Sequence, residues 1–215
     1  METPFVNMHS HSLTYNSGIT VLTLDLSPDI ILPKQKHIAI GLHPHNSNKF
    51  DPEQLYIMLE PYIPSIDAIG EIGLDRHIPI PIITQEKIFC AQLNFAYKHN
   101  LPVIIHCVKA YADMLRIIKN FKRLTYIFHG FYANGKILDA LLKYNSYFSV
   151  GLREISRIDG KNRLLQIPLD RLLLETDDSL HKIEDVYYSA SQILGVDIDY
   201  LKSTIYNNFK NIIND

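Results

Sequence analysis

Eight short runs rich in Ile, Val and Leu, with amphipathic stretches between the later ones, predict an α/β protein with a parallel sheet. Eight such units close as a TIM-type (β/α)8 barrel. The chain has 215 residues, near the lower size limit for that fold. Only short connections fit after the first two runs, so the expected form is compact, with some early helices missing. No repeat, low-complexity tract or long linker interrupts the pattern, and residues 1–215 read as a single domain.

The first run, PFVNMHSH (4–11), reads as a strand and its exit. ITVLTLDL (19–26), HIAIGLHPH (37–45) and IDAIGEIGLD (66–75) follow, then LPVIIHC (101–107) and LTYIFHG (124–130). YFSVG (147–151) and RLLLETDD (171–178) complete the set. These runs are largely continuous in apolar residues, as strands buried on both faces require. Thr84 is placed to cap a helix whose Phe89, Leu93, Ala96 and Tyr97 share one stripe, and Asn100 with Pro102 ends it. Further helices fit at 52–60, 110–120, 133–144, 156–166, 183–194 and 199–212.

Composition excludes several classes. Apolar residues make up 47% and charged residues 20%, an ordinary globular balance. The formal net charge is -2, which argues against a basic nucleic-acid coat protein but not against an enzyme that meets nucleic acid in its site. No stretch of about 18 apolar residues is present, so no membrane span is expected. METPFVNMHS lacks the pattern of a signal peptide. Cys90 and Cys107 are too few for a disulfide framework and suit a reducing cytoplasm. The exposed helical faces suggest no large apolar patch, and a monomer is the default expectation.

The ten histidines are the unusual count. In a barrel of this kind, residues at the C-terminal ends of strands converge. His9 and His11 end the first run, Glu71 the fourth, His106 the fifth, His129 the sixth and Asp177 the eighth. His9 and His11, two apart, point to the same side of an extended strand. A single histidine there is usually a polar rim residue. Imidazoles and carboxylates gathered from five strand ends instead suit a divalent metal, one or two ions of the Zn, Mn or Fe kind and not Ca. Such a centre can clamp an oxyanion and lower the pKa of a bound water. His43 and His45 in GLHPH could contact substrate. Cys107 is expected to face the core, and His37, His77, His99 and His181 to lie on the surface or in turns.

The ordered series H-S-H, GLHPH, AIGEIGLD, QEKIFCAQLNFAYKHNLPVIIHC, FHG and LLLETD resembles the TatD family of metal-dependent deoxyribonucleases, within the amidohydrolase superfamily. The resemblance covers nearly the whole chain. It implies one or two divalent ions (Zn, Mn or Mg). His9, His11, Glu71 and Asp177 would hold one, and Glu71, His106 and His129 the other, with Glu71 as the bridge. It implies phosphodiester cleavage at nucleic-acid ends, probed most simply on DNA, by attack of a metal-bound water. Asp177 would handle the proton, with Glu71 as the other catalytic carboxylate.

Three positions depart from the family pattern. Asn7 stands where the family has Asp, and Val108 where it often has Arg. The loop after Asp177 is shortened, and part of the family's phosphate grip goes with it. Arg76, Lys109 and Arg153 follow strands four, five and seven and are candidate replacements, Arg for bidentate contact and Lys as a point charge. Phe131 and Tyr132 could stack a terminal base or simply pack. Two other readings stand beside the nuclease: an amidohydrolase-type enzyme acting on an ester, lactone or amide, and a barrel that binds metal without turnover.

Overall fold

The computed structural model describes residues 2–13 and 18–213. Its strands are β1 (Val6–Ser10), β2 (Ile19–Asp25), β3 (His37–Gly41), β4 (Ala68–Asp75), β5 (Val103–Val108), β6 (Thr125–Phe128), β7 (Asn145–Val150) and β8 (Leu172–Leu174). Its α-helices are α1 (Pro52–Leu59), α2 (Ile82–His99), α3 (Tyr111–Ile118), α4 (Gly135–Leu141), α5 (Leu152–Ile155), α6 (Gly160–Gln166), α7 (Ile183–Leu194) and α8 (Ile198–Ile212). The eight strands follow one another in chain order in a single sheet, the connectivity of a TIM-type (β/α)8 barrel. Among the described residues no helix stands between β1 and β2 or between β2 and β3, as the short connections predict. No described helix is long and apolar enough to cross a membrane.

The chain divides into two compact units. Unit 1 is Met1–Leu22 with Phe128–Asp215, and unit 2 is Thr23–Ile127. In unit 1, β1 pairs in parallel with β2, and β7 with β8. The exit of β8 returns to β1 through a bridge between Ser10 and Asp177. Val6, Met8, Phe128, Phe148, Tyr187, Leu201 and Phe209 fill its core. Tyr187 fastens α7 to β1: its hydroxyl accepts from the Val6 amide at 3.0 Å and donates to the Val6 carbonyl at 3.1 Å. Burial pushes that hydroxyl above its ordinary pKa, so it remains a donor. Asp197 caps α8 by accepting from the amides of Asp199 and Tyr200.

In unit 2, β3 pairs with β4 and β4 with β5. Ile38, Ile40, Ile69, Ile72, Leu74, Phe89, Leu93, Phe95, Ile104 and Ile105 are buried. The second glycine of IGEIGLD is required by close approach. A Cβ on Gly73, whose φ is +153, would lie 1.9 Å from the His106 carbonyl oxygen.

Several local expectations need correction. Helix α2 begins behind Pro81, and Thr84 lies inside its first turn without capping it. Tyr97 is exposed and leaves the stripe to Phe89, Leu93 and Ala96. Asn100 does end the helix, in the left-handed conformation with φ of 56. The helix expected at 156–166 starts late: α6 covers only Gly160–Gln166, behind the separate short helix α5. Gly160 packs so tightly there that a Cβ would lie 2.2 Å from the Glu154 carbonyl oxygen. Glu71 does not end strand four: β4 continues to Asp75. Asp177 lies beyond the end of β8, at a bridge to β1.

Candidate metal centres

Unit 1 brings His9, His11, His129 and Asp177 together at the exits of β1, β6 and β8. The β1 register shifts between Asn7 and Ser10, the segment that carries His9. Asn7 is buried and spans to the exit of β8. Its amide donates to Thr176 Oγ1 at 2.7 Å, and its carbonyl accepts from the Thr176 amide at 3.0 Å. The Asp177 amide then donates to the His9 carbonyl at 3.0 Å, and the His11 amide to the Asp177 carbonyl at 3.2 Å. Asp177 sits in the left-handed region with φ of 54, a conformation Asp tolerates better than most residues.

This stitching sets Asp177 Oδ1 3.4 Å from His9 Nε2 and 3.6 Å from His11 Nε2. Both distances exceed an ordinary hydrogen bond between such groups. One donor atom each from His9, His129 and Asp177 lies within 4.8 Å of the others. Imidazoles spaced around a carboxylate at these distances fit a shared divalent cation better than a direct hydrogen bond. Behind His129 lies Glu175, wholly buried. Its Oε1 accepts from the Gly130 amide at 2.7 Å and lies 3.6 Å from His129 Nδ1. Glu154 is buried beside it, and its carboxyl is raised above the ordinary range by burial and then by Glu175, with Arg157 opposing.

Unit 2 brings His43, His45, Glu71, Asp75 and His106 together at the exits of β3, β4 and β5. The β4 register shifts between Ile69 and Ile72, the segment that carries Glu71. His106 Nδ1 is 2.6 Å from Glu71 Oε1, and its Nε2 is 3.1 Å from Asp75 Oδ2. His43 Nε2 lies 3.3 Å from Glu71 Oε1, and His45 Nε2 3.8 Å from Asp75 Oδ2. His43, Glu71 and His106 offer one donor atom each within 4.8 Å of one another, again an imidazole and carboxylate set suited to a divalent ion. Burial alone would raise the Asp75 carboxyl. Hydrogen bonds from His106 and the His77 amide, with the charges of His106 and His45, hold it below its usual value instead. Burial and the neighbouring His43 lower the His45 imidazole, which favours its neutral, ligating form.

Two glutamines of α2 fasten these exits. Gln92 Oε1 accepts from the Leu42 amide at 2.7 Å, and its Nε2 donates to the Leu42 carbonyl at 3.1 Å. Gln85 Oε1 accepts from the Asp75 amide at 2.8 Å, and its Nε2 donates to the carbonyls of Asp75 and Ile80, each at 2.8 Å. Asp25, at the end of β2, accepts from the His43 amide at 3.0 Å and from the Asn46 side chain. The turn carrying His43 and His45 is therefore held from both sides.

The substrate-contact candidates fare differently. The Arg76 guanidinium grips Asp113 Oδ2 through Nε at 2.8 Å and through a terminal nitrogen at 2.6 Å. Lys109 and Arg153 are exposed. Phe131 is buried against Phe148, with ring centroids 4.5 Å apart, so it packs. Burial pushes the Cys107 thiol up to about 12, which removes it as a thiolate ligand. His77 and His181 are exposed, as expected. His99 is half-buried at the end of α2, its Nε2 3.4 Å from Glu60. His37 is not a surface residue: it is buried at the start of β3, its Nδ1 3.2 Å from Asp67. Asp75, Glu175, Gln85 and Gln92 were not singled out by sequence reasoning. A usable signal for the glutamines was their seven-residue spacing on an otherwise apolar helix stripe.

Comparison with known proteins agrees with this geometry. The 3'-5' RNA nuclease TATDN2 of Homo sapiens is 34% identical over 148 residues, which is 65% of this chain and 19% of that protein. The 3'-5' ssDNA/RNA exonuclease TatD of Edwardsiella piscicida is 34% identical over 146 residues, which is 64% of this chain and 55% of its own length. The match thus spans at most just over half of either relative. The crystal structure of YJJV, a TatD homologue from Escherichia coli K12, has the same fold, with a TM-score of 0.84 at 20% identity over 98% of each chain. Residues 10–214 match the family described as TatD related DNase, and the chain belongs to that family.

Proposed function

We propose that the protein is a divalent-metal-dependent hydrolase that cleaves phosphodiester bonds at nucleic-acid ends. The observation that carries this reading is the presence of two imidazole–carboxylate groups at strand exits in a chain of the TatD-related DNase family. One or two ions of Zn, Mn or Mg are proposed. His9, His11, His129 and Asp177 are the ligands offered by unit 1, and His43, Glu71 and His106 those offered by unit 2. When bound, such ions would lower the pKa of a water and offset charge on the phosphate oxygens.

The chain's own residues supply the rest. The Asp177 carboxylate takes the proton of the attacking water, a role that needs a fixed and ionised oxygen. Its backbone bonds to His9 and His11 provide the fixing. Glu175 orients the His129 ring and the Gly130 amide from behind. Glu71 and Asp75 hold His106 through both ring nitrogens and so set its orientation. Gln92 and Gln85 keep the exits of β3 and β4 from shifting.

The test is release of nucleotides from single-stranded DNA by the chelated protein after adding back Mg, Mn or Zn, with Asp177→Asn in parallel. Metal-dependent release that vanishes in the variant is the expected result. A second reading is favoured by one observation: Asp113 already occupies Arg76, which reduces the cations available for phosphate. Hydrolysis of an ester, lactone or amide, with no release from DNA, would establish it instead.

A further inference from the structure

A second polar cluster in unit 1 takes no part in the metal groups. Tyr132 lies three residues beyond His129, on the exit of β6. The guanidinium carbon of Arg163 is 4.1 Å from the Tyr132 ring centroid, and that of Arg157 is 4.7 Å from it. Both arginines belong to the segment 153–163 that follows β7. There Arg153, Arg157, Lys161 and Arg163 outnumber Glu154 and Asp159. Glu154 is buried, and burial with Glu175 disfavours its charge. Arg157 stands 3.8 Å from Glu154 Oε1, and Arg163 Nε 3.4 Å from Asp159 Oδ2. This is a local positive field in a chain whose net charge is -2.

We propose that Tyr132, Arg157 and Arg163 form a docking patch for the phosphate backbone of a single-stranded nucleic acid, next to the group of His9, His129 and Asp177. The inference rests on the phosphodiesterase reading and names where that substrate is gripped. An arginine that stacks on a ring uses its face and leaves N–H edge donors for phosphate oxygens. Stacking also holds the guanidinium before the ligand arrives, which lowers the ordering cost of binding. Ile158, fully exposed beside Arg157, adds an apolar contact suited to an unpaired base. The cluster adjoins the metal group: Glu154 Oε1 lies 3.9 Å from where a Cβ on Gly130 would stand. Unpaired bases over an aromatic, with cations along the backbone, are how single strands are held.

The test measures binding without turnover. A labelled oligothymidylate of about 12 nucleotides, long enough for the patch and the site together, is titrated into the Asp177→Asn protein in chelator. The titration is repeated from about 50 to 200 mM salt. Arg157→Gln with Arg163→Gln is expected to weaken binding about tenfold and to flatten the log–log salt slope by about 1.4, two contacts at about 0.7 each. Tyr132→Leu should weaken binding about fivefold and leave the slope alone. Lys87→Gln with Lys143→Gln removes the same charge at exposed positions elsewhere and should leave the slope unchanged.

An unchanged slope in the arginine pair, or an equal loss in the lysine pair, overturns the patch. If the glutamine pair melts early, Arg157→Lys with Arg163→Lys keeps the charge. It should keep the slope and bind about threefold more weakly, because the stacked fork is lost. Unaltered affinity there also overturns the patch. A protein that binds through these residues yet releases no nucleotide would retain the patch and lose the nuclease reading. Release of nucleotide with binding indifferent to both arginine pairs would do the reverse.

Discussion

The donor group of unit 1 and that of unit 2 draw on the same side-chain types and hold them differently. In unit 2 the carboxylates lie against His106, at 2.6 and 3.1 Å, so part of the group is already hydrogen-bonded. In unit 1 the imidazoles stand 3.4 and 3.6 Å from Asp177, and the backbone fixes their spacing. The means of support differ as well. Unit 2 is fastened by side chains of one helix, Gln85 and Gln92, and by Asp25. Unit 1 is fastened by backbone stitching around Asp177 and by Asn7. The contrast suggests that unit 1 is preset for a cation, whereas a cation entering unit 2 must compete with internal hydrogen bonds.

The largest expected effect that sharpens this comparison is at Asp177. Asp177→Asn should lower nucleotide release by about 100-fold or more, the range for loss of a proton-handling group. Asn tolerates φ of 54 as Asp does, so the melting temperature should barely move. Elemental analysis should still find metal at the unit 2 group. Full activity in this variant would remove the assigned role. Next comes Glu71→Ala, which takes from His43 and His106 the carboxylate they share. As a ligand of the unit 2 group, Glu71 should cost that ion, with affinity at least 10–100-fold weaker. An ion still held tightly at that group after dialysis would refute the ligand role.

A smaller effect is expected from Gln92→Leu. The Leu42 amide and carbonyl lose their partners in a buried place, which should cost about 2 kcal/mol in urea unfolding. Metal affinity of unit 2 should fall as well, while that of unit 1 stays. Equal losses in both would break the division of labour. His37→Ala removes a buried imidazole and its Asp67 contact at the opposite end of β3 from His43. Stability should drop by about 1 kcal/mol with activity intact. Least visible of all is Cys107. With its pKa raised to about 12, it stays a thiol at pH 8, and iodoacetamide should label it only after unfolding. Prompt labelling of the folded protein would show that β5 is looser than its packing implies.

The strands were legible because a parallel sheet buried on both faces writes itself as continuous Ile, Val and Leu, as in AIGEIGLD and PVIIHC. The ligand-type residues at strand exits were visible, but not which of them meet: His9, His11, His129 and Asp177 gather in unit 1, and Glu71 and His106 in unit 2 stand with His43, which was expected to contact substrate. What failed depended on interactions with no local trace. Glu71 reads as a strand end because charge usually marks one, yet a register shift carries it inside β4. Asp75 merely closes the run IDAIGEIGLD, and only the fold brings His106 to it. The pattern at 156–166 has helical spacing, yet α6 starts only at Gly160, which lies close against the Glu154 carbonyl of α5. Arg76 has the right place for phosphate, and Asp113, 37 residues on, claims it.

The pair Gln85 and Gln92 makes helix α2 intolerant of changes in length. Seven residues are almost two turns, so both side chains leave the same face and reach two different strand exits. One residue inserted between them would turn one glutamine about 100° around the helix, releasing either Leu42 or Asp75. Point substitutions on the outer face of α2 should be absorbed readily, but an insertion or deletion between 85 and 92 should silence a site to which the altered residues contribute no ligand.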